Sequence, residues 1–140
     1  MKAVLDAQLE ALRGVLATLP AVRVAYVFGS TVEGHMHAES DLDLALLFDR
    51  DLDEPAKHAA KLAVIASLTD ALGPLGERVD LVDLSEADPA VAFKAIQGSR
   101  VLARDEAERV ALEARVARRY EDDAPRRALY RRAARARWGA

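Results

Sequence analysis

The sequence contains no cysteine, which excludes disulfides, thiolate nucleophiles and cysteine-based zinc or iron–sulfur centres, and leaves oxygen ligands for any metal. No apolar run approaches the length needed to span a bilayer. The N-terminus enters an amphipathic pattern directly after Met1-Lys2, without the apolar stretch and small-residue cleavage site of a secretory signal, so cytoplasmic residence is expected. Neither an internal repeat nor a low-complexity linker is present.

What is there is the balance of a globular protein, with 51% hydrophobic and 31% charged residues in 140 positions. That length fits one ordinary domain, 1–140, so one domain must carry any chemistry. The formal net charge of -3 hides an asymmetry. Met1 to Val110 holds 11 basic and 19 acidic residues, a net of -8, whereas Ala111 to Ala140 holds 9 and 4, a net of +5. The basic end is a candidate contact surface.

Leu5, Leu9, Leu12, Leu16 and Leu19 recur at steps of four and three, so they share one face of a helix that Pro20 stops. Val22, Val24, Tyr26 and Phe28 alternate with Arg23, Ala25 and Val27 in a β-branched and aromatic run, which predicts a largely buried strand ending at Gly29-Ser30. Asp41 to Phe48 predicts a second strand. Asp53, Glu54 and Pro55 open a helix that runs over Ala56 to Leu72 until Gly73-Pro74. Arg78 to Leu84 predicts a third strand, Asp88-Pro89 a short helix closing near Gly98, and Val101 to Ala103 a small edge strand. From about residue 105 to 140 the composition favours a helical extension that Pro125 divides. The fold class expected is α+β, with a small mixed sheet, flanking helices and a helical C-terminus.

Asp41 and Asp43, at i and i+2 on an otherwise apolar strand, should share one face about 7 Å apart, close enough to bridge divalent cations. Two acids on such a strand cost several kcal/mol unless a cation or hydrogen bonds compensate. Asp80 starts another apolar strand, and a neighbouring position would complete a three-carboxylate nest suited to Mg²⁺, which uses a few carboxylates with phosphate oxygens and waters. In a two-metal arrangement one ion activates the attacking oxygen and the other holds a triphosphate. Asp80 would then serve the attacking side. At Gly29-Ser30 a glycine lets backbone approach a phosphate while the serine hydroxyl donates, although the pair alone is a common turn.

The combination is more specific than its parts. FGSTVEGHMHAESDLDLALLF resembles the signature of the DNA polymerase β-like nucleotidyltransferase superfamily, and RVDLVDL resembles its third-acid strand. The short chain is similar to the minimal nucleotidyltransferases, bacterial antitoxins often paired with a helical HEPN ribonuclease toxin that they inactivate by transferring AMP onto it. The resemblance implies a nucleotidyltransferase fold in which Asp41, Asp43 and Asp80 bind two Mg²⁺ ions and act in catalysis, Gly29 and Ser30 hold the triphosphate of ATP, and a HEPN-type toxin hydroxyl receives AMP. Family members commonly carry GSRARG where this chain has GSTVEG, so Thr31 and Glu33 replace two arginines, and triphosphate binding is either weakened or borrows Arg23, Lys57 or another base. Transfer onto a small hydroxylated molecule such as an aminoglycoside, or neutralisation of a partner by binding alone, are the alternative functions. No base-reading motif fixes the nucleotide.

His35 and His37 read as solvated loop histidines. Asp83 falls on the strand face opposite Asp80 by odd spacing, which predicts a surface role for Asp83 and burial for Asp80. The stretch Arg126-Arg127, Arg131-Arg132, Arg135 and Arg137 reads as a solvated face, a docking helix for an acidic partner or a phosphate-binding patch for RNA, with direct nucleic-acid binding not expected. Tyr120, Tyr130 and Trp138 fit either a protein contact or the core.

Overall fold

The computed structural model describes residues 2–29 and 42–138. Its elements follow the order α1 (Lys2–Ala17), β1 (Val22–Phe28), β2 (Leu42–Phe48), α2 (Glu54–Leu72), a 3-10 turn (Gly73–Arg78), β3 (Val79–Asp83), α3 (Pro89–Ile96), β4 (Ser99–Ala103), α4 (Glu106–Asp122) and α5 (Ala124–Trp138). The four strands form one mixed sheet in the order β3-β2-β1-β4. β1 runs antiparallel to both β2 and β4, and β2 runs parallel to β3 through the α2 crossover. The α+β class and mixed sheet expected from the sequence are both present.

The central strands β1 and β2 are largely apolar on both sides, as suits a sheet covered by helices on both faces. On one face Leu12 and Leu16 of α1 and Val64 and Leu68 of α2 pack against Ala25, Val27, Leu42, Leu44 and Leu46. On the other, Ala92 and Ala95 of α3 and Leu112 and Val116 of α4 pack against Val24, Tyr26, Phe28 and Ala45. The sequence pattern put Val22 on the side of Val24. A bulge between them turns Val22 to the α1/α2 face instead.

By length and composition the stretch Glu54–Arg78 is apolar enough to cross a membrane, which the sequence reading did not anticipate. In this fold α2 lies over the sheet, with Val64 and Leu68 in the core. Its start is capped as expected, the Asp53 carboxylate accepting from the Ala56 N–H at 2.9 Å. Arg104, just past β4, donates to the carbonyls of Val22 at 2.6 Å, Leu16 at 3.1 Å and Leu19 at 3.0 Å. One guanidinium thus adds a charged donor to the Leu16 and Leu19 carbonyls, which also accept from the Leu19 and Val22 N–H groups, and ties the end of α1 to the sheet.

α4 is held to the other face by Tyr26, whose hydroxyl donates to Glu113 at 3.1 Å. Burial, together with the Glu113 charge, drives the Tyr26 hydroxyl well above the usual tyrosine range. Phe93 and Tyr120 stack between α3 and α4 with ring centroids 4.0 Å apart.

Candidate active site

The sheet brings three strand ends to one corner. In the antiparallel pair Phe28, the last residue of β1, lies opposite Asp43, and in the parallel pair Asp43 lies beside Asp80. Matched register places the two acids on the same face, the one covered by α3 and α4, with Ala45 and Val82 following them inward. Neighbouring strands are about 5 Å apart, so the two carboxylates can reach one cation. Asp43 is half-buried and Asp80 exposed. Adjacent like charges repel, and this donor set of carboxylate oxygens, open to solvent on one side, fits a hard divalent cation.

Gly29 follows directly with φ of 80°, a left-handed conformation that favours glycine. A Cβ there would lie 2.3 Å from Oδ2 of Asp43. The glycine is therefore required for a reason beyond phosphate approach, since its missing side chain is the space that the Asp43 carboxylate occupies. Gly98, which the sequence showed only as a helix end, supports the same corner. A Cβ at Gly98 would lie 2.3 Å from the carbonyl oxygen of Val27, so the turn between α3 and β4 rests directly on the end of β1. Only its position after a short helix signalled it, and that signal does not reveal the close approach.

Ser30 and Asp41 lie outside the described residues, as do Thr31, Glu33, His35 and His37. Among the described residues no cluster of three acids or histidines is found, and Asp43 with Asp80 is the part of the expected nest that the structure brings together.

Both proposed substitutes for the missing arginines are engaged elsewhere. Arg23 sits six residues before Gly29, about 20 Å along the strand, and its Nε is 3.1 Å from Glu108. It lines a cleft of about 540 Å³ with Phe48, Arg50, Glu108 and Arg115 at the far end of the sheet. Lys57 lies on the α2 side, its Nζ 2.6 Å from Oδ2 of Asp83. The parity argument separated Asp83 from Asp80 correctly, but the expected burial is reversed. The Asp83 side chain is 6% exposed, whereas Asp80 opens to solvent at the start of an edge strand. Burial alone would raise the Asp83 pKa, and hydrogen bonds from Lys57 and Ser85 outweigh it, holding the carboxyl below its usual range. The Asp83 hydrogen bond correspondingly raises Lys57, against the cost of its desolvation.

Residues 10–108 match the model of the family described as polymerase beta, nucleotidyltransferase. The chain belongs to this nucleotidyltransferase family. The matched span contains Gly29, Asp43 and Asp80 and stops short of most of α4 and all of α5. A protein adenylyltransferase, MntA of Shewanella oneidensis, is 33% identical over 86 residues, which is 60% of this chain and only 55% of that relative. Among solved structures, this nucleotidyltransferase chain superposes on a toxin–antitoxin crystal structure with AMP-PNP at a TM-score of 0.66 and 23% identity, covering 86% of this chain and 97% of that one. A tri-AMPylated Shewanella oneidensis HEPN toxin in complex with MNT antitoxin gives a TM-score of 0.65 at 20% identity, covering 92% and 98%. These likenesses establish the shared fold.

Proposed function

We propose that this nucleotidyltransferase transfers AMP from ATP onto a side-chain hydroxyl of a HEPN-type toxin and so acts as the antitoxin of the pair, in the cytoplasm where ATP is available. The observation that carries the reading is the corner itself, where Gly29 yields its side-chain space to Asp43 and the register sets Asp43 beside Asp80. An isolated pair of strand acids would not need that glycine. The adenylyltransferase relative and the toxin–antitoxin neighbours support the choice of acceptor.

In this reading Asp41, Asp43 and Asp80 hold two Mg²⁺ ions, which when bound neutralise the triphosphate and make the acceptor hydroxyl more acidic. Gly29 and Ser30 cradle the phosphates through backbone N–H groups and the serine hydroxyl. Half-buried Asp43 fixes the donor side, and exposed Asp80 faces the incoming acceptor. The acceptor oxygen bonds to the α-phosphorus in line as the bond to the β-phosphate breaks, and pyrophosphate leaves while the hydroxyl proton passes to solvent.

Incubation with labelled ATP, Mg²⁺ and the purified toxin should place label on the toxin, and both chelation and Asp43→Asn should abolish it. A second reading, masking without catalysis, is favoured by Thr31 and Glu33 standing where relatives commonly carry arginine. Neutralisation that survives Asp41→Asn and Asp43→Asn would select it.

A further inference from the structure

Helix α5 is a 15-residue element with six arginines and no acid, and none of its side chains is buried. Among the described residues, the ion pairs and ring contacts that tie it to the body fall in its first turn. Arg126 pairs with Asp88 at 3.1 Å and with Asp123 at 2.6 Å, and Arg127 lies 3.6 Å over the Tyr120 ring. Beyond that turn Arg131, Arg132 and Arg135 lie with Ala128 along one side of the helix at helical spacing, without an ion-pair partner among the described residues. About half a turn away Leu129 and Tyr130 are 63% and 65% exposed, and Trp138 at the end is 75% exposed.

A helix of this length is marginal in water by itself, and three unneutralised guanidinium groups at i, i+1 and i+4 repel one another. Both costs are relieved by a cleft that supplies carboxylates to the arginine side and apolar cover to Leu129 and Tyr130. The charge distribution favours approach of an acidic body here, because residues 1–110 carry a net -8 while residues 111–140 carry +5. A phosphate backbone would engage the arginine side but leave Leu129 and Tyr130 in water, which favours a protein cleft as the occupant.

We propose that α5 is the docking element, gripped in an acidic, partly apolar cleft of the partner protein through Arg131, Arg132 and Arg135 on one side and Leu129 and Tyr130 on the other. The inference rests on the reading that the acceptor is a toxin protein. With purified HEPN-type toxin as substrate, Arg131→Glu/Arg132→Glu/Arg135→Glu should raise the KM for toxin at least tenfold, with kcat and the KM for ATP unchanged. The neutral Arg131→Gln/Arg132→Gln/Arg135→Gln and the separate Leu129→Ser/Tyr130→Ser variants, whose melting temperatures should match wild type, should each raise it as well. An unchanged KM for toxin in all three variants overturns the proposal. So does a charge-reversed variant that loses binding to single-stranded RNA or anionic vesicles while still modifying toxin normally. A wild-type protein that neither binds nor modifies toxin overturns the functional reading itself, a result separable from one in which only the α5 variants behave as wild type.

Discussion

At the scale of single residues, Gly29 carries the sharpest expectation. Gly29→Ala places a methyl 2.3 Å from a carboxylate oxygen and asks an L side chain to keep φ of 80°. The backbone penalty is about 1 kcal/mol, and on the proposed function displacement of Asp43 by even about 1 Å should lower AMP transfer about 100-fold. Initial rates of labelled AMP transfer, beside a thermal melt, measure the two effects separately. For the Lys57–Asp83 pair the prediction concerns stability. Asp83 is held below its ordinary pKa of 3.8 and Lys57 above its ordinary 10.5, so the pair stabilises the fold between those limits. That contribution disappears as pH falls through the depressed pKa of Asp83, or rises through the elevated one of Lys57. Asp83→Asn should therefore cost about 2 kcal/mol near neutrality, and urea titrations should show the deficit vanishing in strong acid. The sequence already distinguished the two strand faces, since parity is local. It could not tell which face α2 would cover, and that decides why Asp83 is buried and Asp80 is open.

Elements were legible where their signals are local. The leucine steps of α1, the Asp53 cap of α2 and the Asp88-Pro89 start of α3 depend on a few consecutive residues, and each element forms where those signals lie. The bulge at Val22 and the clamp by Arg104 were not legible, because each is a relation between segments far apart in the chain. Arg104 reaches back 82 residues or more to its carbonyl partners. Arg104→Ala should remove these charge-assisted hydrogen bonds and lower stability by about 2 kcal/mol. Arg104→Lys should recover little of this, since an ammonium cannot reproduce the planar fork, and hydrogen exchange should localise the loosening to the end of α1.

For the whole molecule, core and periphery are clearly divided. Two helical layers enclose the sheet, and α5 stands outside both clusters. A chain ending after Asp123 should accordingly lose no more than about 1 kcal/mol of stability by chemical denaturation, the worth of exposed ion pairs and one stacked arginine. The acids of the corner tell a different story. Asp43 and Asp80 are 37 positions apart and become neighbours only when β3 aligns along β2 after the whole α2 crossover has formed. Parallel pairing across so long a loop is among the slower events of folding. On the proposed function a nascent or partly refolded chain therefore has no competent centre, and recovery of AMP transfer after dilution from denaturant should lag helix formation and report the closing of that single strand pair.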